Sequence, residues 1–369
     1  ITQASLPTVR RAIQTLSDLN WIHVVGQAEA NGGRPAMLFG IDNRHYLVIG
    51  LHLQLPGIRL IAANLSGDVL ETKDAFIEMV PEHSAIIQKV SDFIAVIRSK
   101  FPERVILGIG IASPGFVDLK TGDIIAIGRV PSWVNFPICR HLSAMTGLPI
   151  QIANDVDCMA IAELYQDQRL MQKNLVYIGF CEGVKASLFL GGQLYKGTIG
   201  NVGLISADLL HLCNRDSSEE LKNLITLPGF IIEFGKRVRK LPVEKQKYFD
   251  MIMEAEDQHE QFITILETAL SDKVVCYPLV HDLIKAVSIA IASVIFVIQP
   301  DVLVLGGLLS SMPKNLFIEL ENSIRGYIPT LISNNLIIIQ GVMDALNIAA
   351  IGAVHHFLQT SVSDILGDN

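Results

Sequence analysis

The sequence predicts an α/β protein of two similar halves behind a small helix-and-hairpin head. Three observations carry this. Strand patterns followed by helix patterns occur twice, before and after about residue 150, as a duplicated architecture without a literal sequence repeat. Half of the 369 residues are hydrophobic and only 18% are charged, so the chain has a large interior and is long enough for two or three domains. Residues 1–45 differ in charge from the rest: Arg10, Arg11, Arg34 and Arg44 face Asp18, Glu29 and Asp42, whereas the remainder carries 25 − 34 = −9.

Composition excludes several classes. A net charge of −8 rules out non-specific coating of nucleic acid by the whole surface, so any such contact belongs to a local patch. The five cysteines are scattered without a C-x-x-C pair, a pattern of buried thiols in a reducing compartment. No basic stretch followed by an apolar run opens the chain, so no secretory signal is visible. The apolar run Val287 to Ile298 is shorter than the roughly 20 residues a bilayer span needs, and it reads as a core helix. A cytoplasmic protein with no membrane partner is expected.

In the head, Pro7 to Leu19 has apolar residues at helical spacing, with Ser5 as N-cap and Pro7 in the first turn. Trp21 to Val25 reads as a strand, Glu29 to Asn31 as a polar tip and Met37 to Ile41 as the return strand. Helix followed by a two-stranded wing is the back half of a winged helix-turn-helix. The chain opens on Ile directly before this helix, so the front half of such a domain is expected to lie outside the sequence. Arg10 and Arg11 suit a solvated helix face or a DNA contact. The G-G-R-P run at Gly32 to Pro35, which sets a cation at a turn tip, favours the second.

The first half opens with a hairpin, Tyr46 to Leu53 and Ile58 to Leu65, followed by an amphipathic helix at Ser84 to Lys100. Val105 to Ala112 is apolar enough for a strand buried on both faces. It runs into Ala112-Ser113-Pro114-Gly115-Phe116-Val117-Asp118, where Ser-Pro-Gly makes a turn. In Trp133-Val134-Asn135-Phe136-Pro137, Trp133 suits core packing and Asn135 suits either a loop cap or a ligand contact. The second half opens at Pro149 to Ala153, a short strand that meets a helix, Val156 to Tyr165, at Asn154-Asp155. Polar side chains at such a junction face a crevice or cap the helix. Leu175 to Phe180 and Ala186 to Leu190 read as strands, with Gly191-Gly192 as a hairpin turn. Helices are expected at Ser217 to Ile225, Pro242 to Leu270 and His281 to Ile298, then strands at Val302 to Leu305 and Leu336 to Gln340, and a closing helix at Ala345 to Phe357. His355 and His356 are adjacent, so they point apart on a helix and read as surface residues rather than metal ligands.

The N-D junction, S-P-G-x-V-D, W-x-N-x-P, G-G-R-P and the G-G-Q-L-Y-K-G hairpin at Gly191 to Gly197 together resemble the ROK family of sugar kinases and sugar-responsive repressors, over nearly the whole chain. The resemblance implies an actin-like (ribonuclease H-like) two-lobed body behind a partial winged helix-turn-helix. It sets the head at 1–45, a first lobe at 46–150 rejoined by 345–369, and a second lobe at 151–344. It places ligand contacts at Ser113, Pro114, Gly115, Asn135, Asn154, Asp155 and Asn201, in a site between the lobes. DNA contacts fall at Thr8, Arg10, Arg11, Gly33 and Arg34. In the family's kinases the Asp matching Asp155 takes a proton from a sugar hydroxyl.

The rest of the kinase chemistry has gone. Where those kinases carry D-x-G-G-T this chain has His52-Leu53-Gln54-Leu55-Pro56, which cannot cradle phosphate. The family's G-T-G-x-G-x-G aligns with Cys181-Glu182-Gly183-Val184-Lys185-Ala186-Ser187, one glycine of four, with an acid beside the phosphate position. G-E-x-G-H has become Gly200-Asn201-Val202-Gly203-Leu204, and the zinc thiols reduce to His211 and Cys213, too few for a structural zinc. The resemblance therefore implies a transcriptional regulator without kinase activity, cofactor or metal. It would bind operator DNA and a sugar or sugar phosphate as a homodimer or higher homo-oligomer. A sugar kinase with a diverged ATP site is the alternative.

Overall fold

The same strand order is used twice in this chain. The computed structural model describes residues 5–29, 35–54, 57–76, 83–128, 130–205, 224–341 and 347–367. They form two compact units, 1–153 with 350–369, and 154–349.

The head belongs to the first unit. Helix α1 (Leu6–Asp18) is capped by Ser5, whose hydroxyl accepts the Thr8 N–H at 3.4 Å. Strands β1 (Ile22–Gln27) and β2 (Met37–Ile41) pair antiparallel, Ile22 opposite Ile41. The helix buries no residue completely, so its apolar stripe is only half covered. Aromatic and polar links tie the head to the body of its unit. The Trp21 and Tyr46 rings lie 5.4 Å apart, and the Tyr46 hydroxyl donates to the Leu19 carbonyl at 2.6 Å. Asp42, buried at the end of the wing, accepts Arg44 Nε at 3.0 Å and Nη2 at 2.6 Å.

Strands β3 (Tyr46–Gln54), β4 (Gly57–Ala63) and β5 (Val69–Phe76) form an antiparallel meander. Helix α2 (His83–Lys100) lays Ile86, Val90, Phe93, Ile94 and Ile97 on one face of the sheet, the stripe its 3.6-residue period predicts. Strand β6 (Val105–Ser113) pairs parallel with β3. Next comes a small sheet that the sequence reading omits: β7 (Phe116–Asp118), β8 (Asp123–Ile127) and β9 (Val130–Phe136), then α3 (Ile138–Thr146). Trp133 is fully buried in the core of this unit. With β10 (Ile150–Asn154) the main sheet runs β10-β6-β3-β4-β5.

Strand β10 runs directly into α4 (Asp155–Gln166), the first element of the second unit. Strands β11 (Leu175–Phe180), β12 (Val184–Leu190) and β13 (Gln193–Leu194) form an antiparallel meander. The β12–β13 turn is Gly191-Gly192, with φ of 58° and 78°, as a two-residue hairpin requires. A short β14 (Leu204–Ile205) flanks β12. Among the described residues, five helices follow: α5 (Leu227–Arg239), α6 (Val243–Gln246), α7 (Asp250–Glu254), α8 (Gln258–Thr268) and α9 (Cys276–Ile298). The single helix expected over Pro242 to Leu270 is therefore broken. Ala255 turns extended, and the Asp257 carboxylate starts a new helix by accepting the His259 N–H at 2.9 Å. Of the helix expected over 217–225, residues 217–223 lie outside the described residues.

Helix α9 is longer than its apolar run suggested. At 23 residues it is long and apolar enough to cross a membrane by length and composition, but about half of it is buried inside the unit against β11 and β15 side chains. Strand β15 (Val302–Gly307) pairs parallel with β11, and after α10 (Lys314–Tyr327) and α11 (Thr330–Asn335) strand β16 (Ile337–Gln340) pairs parallel with β15. The sheet order β13-β12-β11-β15-β16 repeats the third-second-first-fourth-fifth order of the first sheet.

Helix α12 (Ile348–Gly367) starts later than expected and returns the chain to the first unit. Its Ala350, Val354 and Phe357 pack on Val48, Ile61 and Ala63. It lies so close to the sheet that a Cβ on Gly110 would sit 2.0 Å from the Ala353 carbonyl oxygen. The surface placement of His355 and His356 is overturned. Six consecutive residues, 352–357, are buried, so protein surrounds the helix there, and His355 lies against Gly67. Burial drives the His355 imidazole down to about 4.

Candidate functional site

The residues singled out from sequence are distributed over both units. In the second unit, Asn154 is the N-cap of α4: its side-chain oxygen accepts the Val156 N–H at 3.0 Å. Asp155 is the first helical residue, and its Oδ1 accepts the same N–H at 2.8 Å. Both side chains therefore serve the same helix-opening N–H, Asn154 from the N-cap and Asp155 from the first helical position. Asp155 is buried at 8% exposure, and loss of hydration pushes its carboxyl up to about 6. The Val156 N–H and the Lys185 charge oppose that rise, while Asp157 adds to it. The group is an acceptor with a proton affinity close to neutrality.

Sequence reading missed its neighbours. Lys185 on β12 and Asp157 on α4 are both buried and form an ion pair, Nζ to Oδ1 2.5 Å. Alternation along β12 sends Val184, Ala186 and Leu188 into the core beneath α9. Lys185 therefore takes the opposite face, toward α4. The signal was present: one acid inside V-D-C-M-A-I-A and one cation inside V-K-A-S-L-F-L, each at a position otherwise apolar or small.

The segment aligned with the second phosphate loop is a tight bend of three residues. The Cys181 N–H donates to the Gly183 carbonyl at 2.9 Å, and the Glu182 carbonyl accepts the Leu227 N–H at 3.2 Å. Those groups are occupied within the protein. The same holds at the end of β15, where the Gly307 N–H donates to the buried Tyr177 hydroxyl at 3.1 Å. At the first phosphate position, β3 and β4 pair as far as Gln54 opposite Gly57, and His52 is buried, with Leu55 and Pro56 outside the described residues. Asn201 is buried and donates to the Ile199 carbonyl at 3.0 Å.

In the first unit, Ser113 is fully buried at the end of β6 and its hydroxyl donates to the Pro114 carbonyl at 3.0 Å. Gly115 has φ +75°, and a Cβ there would lie 2.3 Å from the Ala126 carbonyl oxygen, so only glycine fits the turn. Asn135 is exposed on β9 with φ 50°, a left-handed conformation that Asn tolerates better than most residues. On α1, Thr8, Arg10 and Arg11 are exposed, although the Thr8 hydroxyl also lies 2.8 Å from that of Ser5. Gly33 and Arg34 lie outside the described residues, as do His211 and Cys213. Among the described residues no three His, Cys, Asp or Glu side chains gather as metal ligands. With Asn201 and Leu204 in the acid and histidine positions, the donor set does not fit a structural zinc.

A twice-used sheet order, each meander extended by two further strands, with an N-D pair between the halves, defines an actin-like two-lobed α/β protein. Residues 49–209 match the ROK family, and the chain carries a ROK family domain. A xylose repressor of Caldicellulosiruptor bescii is 22% identical over 317 residues, 85% of this chain and 78% of that protein. The crystal structure of a ROK family transcriptional regulator, a homolog of the E. coli MLC protein, superposes with a TM-score of 0.80 at 18% identity, covering 99% of this chain and 91% of that one. A ROK family glucokinase from Streptomyces griseus, in complex with glucose and AMPPNP, superposes with a TM-score of 0.69 at 16% identity, covering 84% and 98%. The fold is therefore shared with both regulators and kinases.

Proposed function

We propose that this protein is a sugar-sensing transcriptional repressor of the ROK type, without kinase activity, working in the cytoplasm. One observation carries the reading. The N-D junction is kept, with Asp155 as a buried acceptor, while the bend in the kinase-type position engages its Cys181 N–H and Glu182 carbonyl in internal bonds, and Lys185 on the following strand is paired with Asp157. Phosphoryl transfer needs a cradle for the phosphates and metal-assisted charge neutralisation as well as a base. Only the base position persists. The repressor name of a relative spanning most of the chain supports the same choice.

In this reading α1 presents Arg10 and Arg11, with Thr8 beside them, to operator DNA. The candidate ligand contacts of this reading are Ser113, Pro114, Gly115 and Asn135 within the first unit and, separately, Asn154, Asp155 and Asn201 within the second. The protein acts as a homodimer or higher homo-oligomer, since operator half-sites mirror two-fold symmetry.

The test is a thermal-shift series with D-xylose, other monosaccharides and their phosphates, because a ligand of the native state raises stability by mass action. A sugar that stabilises wild type and weakens its binding to promoter DNA is expected. The kinase reading draws on the near-neutral Asp155, which would suit a base. Sugar-dependent ATP turnover would establish it and overturn the proposal.

A further inference from the structure

A buried ion pair is an expensive way to join a helix to a sheet. Taking both charges out of water costs about as much as their attraction returns, and an apolar pair of the same size often holds as well or better. Lys185 and Asp157 are exposed by only 4% and 8%, yet they are paired at 2.5 Å. Asp157 stands two residues beyond Asp155 in the first turn of α4, and the Lys185 charge acts on both carboxyls. The hydroxyl of Ser187, two residues along β12 on the same face as Lys185, is also buried.

We propose that Lys185 is a positioning residue for Asp155: anchored on Asp157, its ammonium holds the Asp155 carboxyl in the acceptor form that a ligand hydroxyl requires. The proposal rests on the sugar-sensing reading of Asp155. Among the described residues of its unit, Lys185 is a cation acting on that carboxyl. On its own helix stand Asp157 and the Cys158 thiol. From β11 and the bend after it come the Tyr177 phenol and the Cys181 thiol. Burial holds those thiols and the phenol well above their usual range, so they stay neutral. From β12 comes Lys185. Its pull on Asp155 outweighs the opposing push of Asp157. Ligand affinity should therefore fall as pH drops through the Asp155 midpoint, and that midpoint should depend on Lys185.

The experiment tracks carboxyl carbon-13 aspartate resonances of the full chain against pH, with Asp155 assigned through Asp155→Asn. In wild type the midpoint is expected at about 6. Lys185→Gln keeps a donor for Asp157 but removes the charge, and should raise the midpoint by about one pH unit. Lys185→Arg, which keeps the charge, should leave it nearly in place. Should Lys185→Gln fail to fold, Lys185→Met with Asp157→Leu replaces the pair by apolar side chains, and the midpoint should still rise.

Calorimetric titration with D-xylose supplies the second arm. A one-unit rise leaves about a fivefold smaller ionised fraction at pH 6 and almost none of that difference at pH 8, so Lys185→Gln should bind about fivefold more weakly only at the lower pH. An unchanged Asp155 midpoint in a folded charge-removing variant would overturn the proposal. Absence of D-xylose binding to wild type would count against the ligand reading, while the carboxyl titration still decides the role of Lys185.

Discussion

Replacing Asp155 by Asn should stabilise the protein at neutral pH. Burial raises the Asp155 carboxyl from 3.8 to about 6 in the folded chain. A carboxyl whose folded value lies above its unfolded value binds its proton more tightly when folded. Stability from this group is therefore full below the unfolded value and is lost as pH rises through the folded value. Above about pH 6 the ionised, buried carboxylate costs roughly 3 kcal/mol, from about 2.2 units at 1.36 kcal/mol each. Asn removes that cost. Its side-chain oxygen can still accept the Val156 N–H, and Asn154 remains as the cap. The variant should gain up to roughly 3 kcal/mol at pH 7.5 and roughly half of that at pH 5, with no gain below the unfolded value. Urea unfolding of both proteins, run side by side at each pH, measures the gap and cancels other titrating groups. The gain should come with loss of ligand affinity, by about tenfold to a hundredfold, because a charged acceptor for a hydroxyl has gone. A variant less stable than wild type at pH 7.5, or a gap that ignores pH, would refute this account of the junction.

Three further outcomes are expected. His355 is buried with its imidazole lowered to about 4, so the stability it contributes is full above the unfolded value of 6.5 and is lost as pH falls toward 4; His355→Gln should flatten acid unfolding in that window. Gly115→Ala would bring a Cβ to within 2.3 Å of the Ala126 carbonyl at φ +75°, and a destabilisation of about 1–3 kcal/mol is expected in urea unfolding. Arg10→Ala with Arg11→Ala should weaken promoter binding in a gel-shift series and reduce its salt dependence by about one counterion for each phosphate no longer neutralised, with melting unchanged because both side chains are exposed.

The sequence by itself determined most of the individual elements, because periodicity is a local property. The apolar runs of β3, β4 and β6 and the N-D junction place strands and helices without reference to anything distant. The paired glycines of the β12–β13 turn do the same, since their positive φ values follow from residue type. The strand order, identical in both sheets, is visible only once the strands are paired. Local pattern failed where packing overrode it. The histidine pair of α12 looked exposed because its neighbours in sequence say nothing of the β4–β5 turn at Gly67 that covers His355. The break at Ala255 in the helix expected over Pro242 to Leu270 was equally hidden, since no proline or glycine marks it. At the candidate site the sequence supplied Asp155, and the tertiary structure supplied its environment. Two charges 28 residues apart, on a helix and a strand, meet only after the sheet forms, and the field they create depends on burial, which no spacing in the chain records.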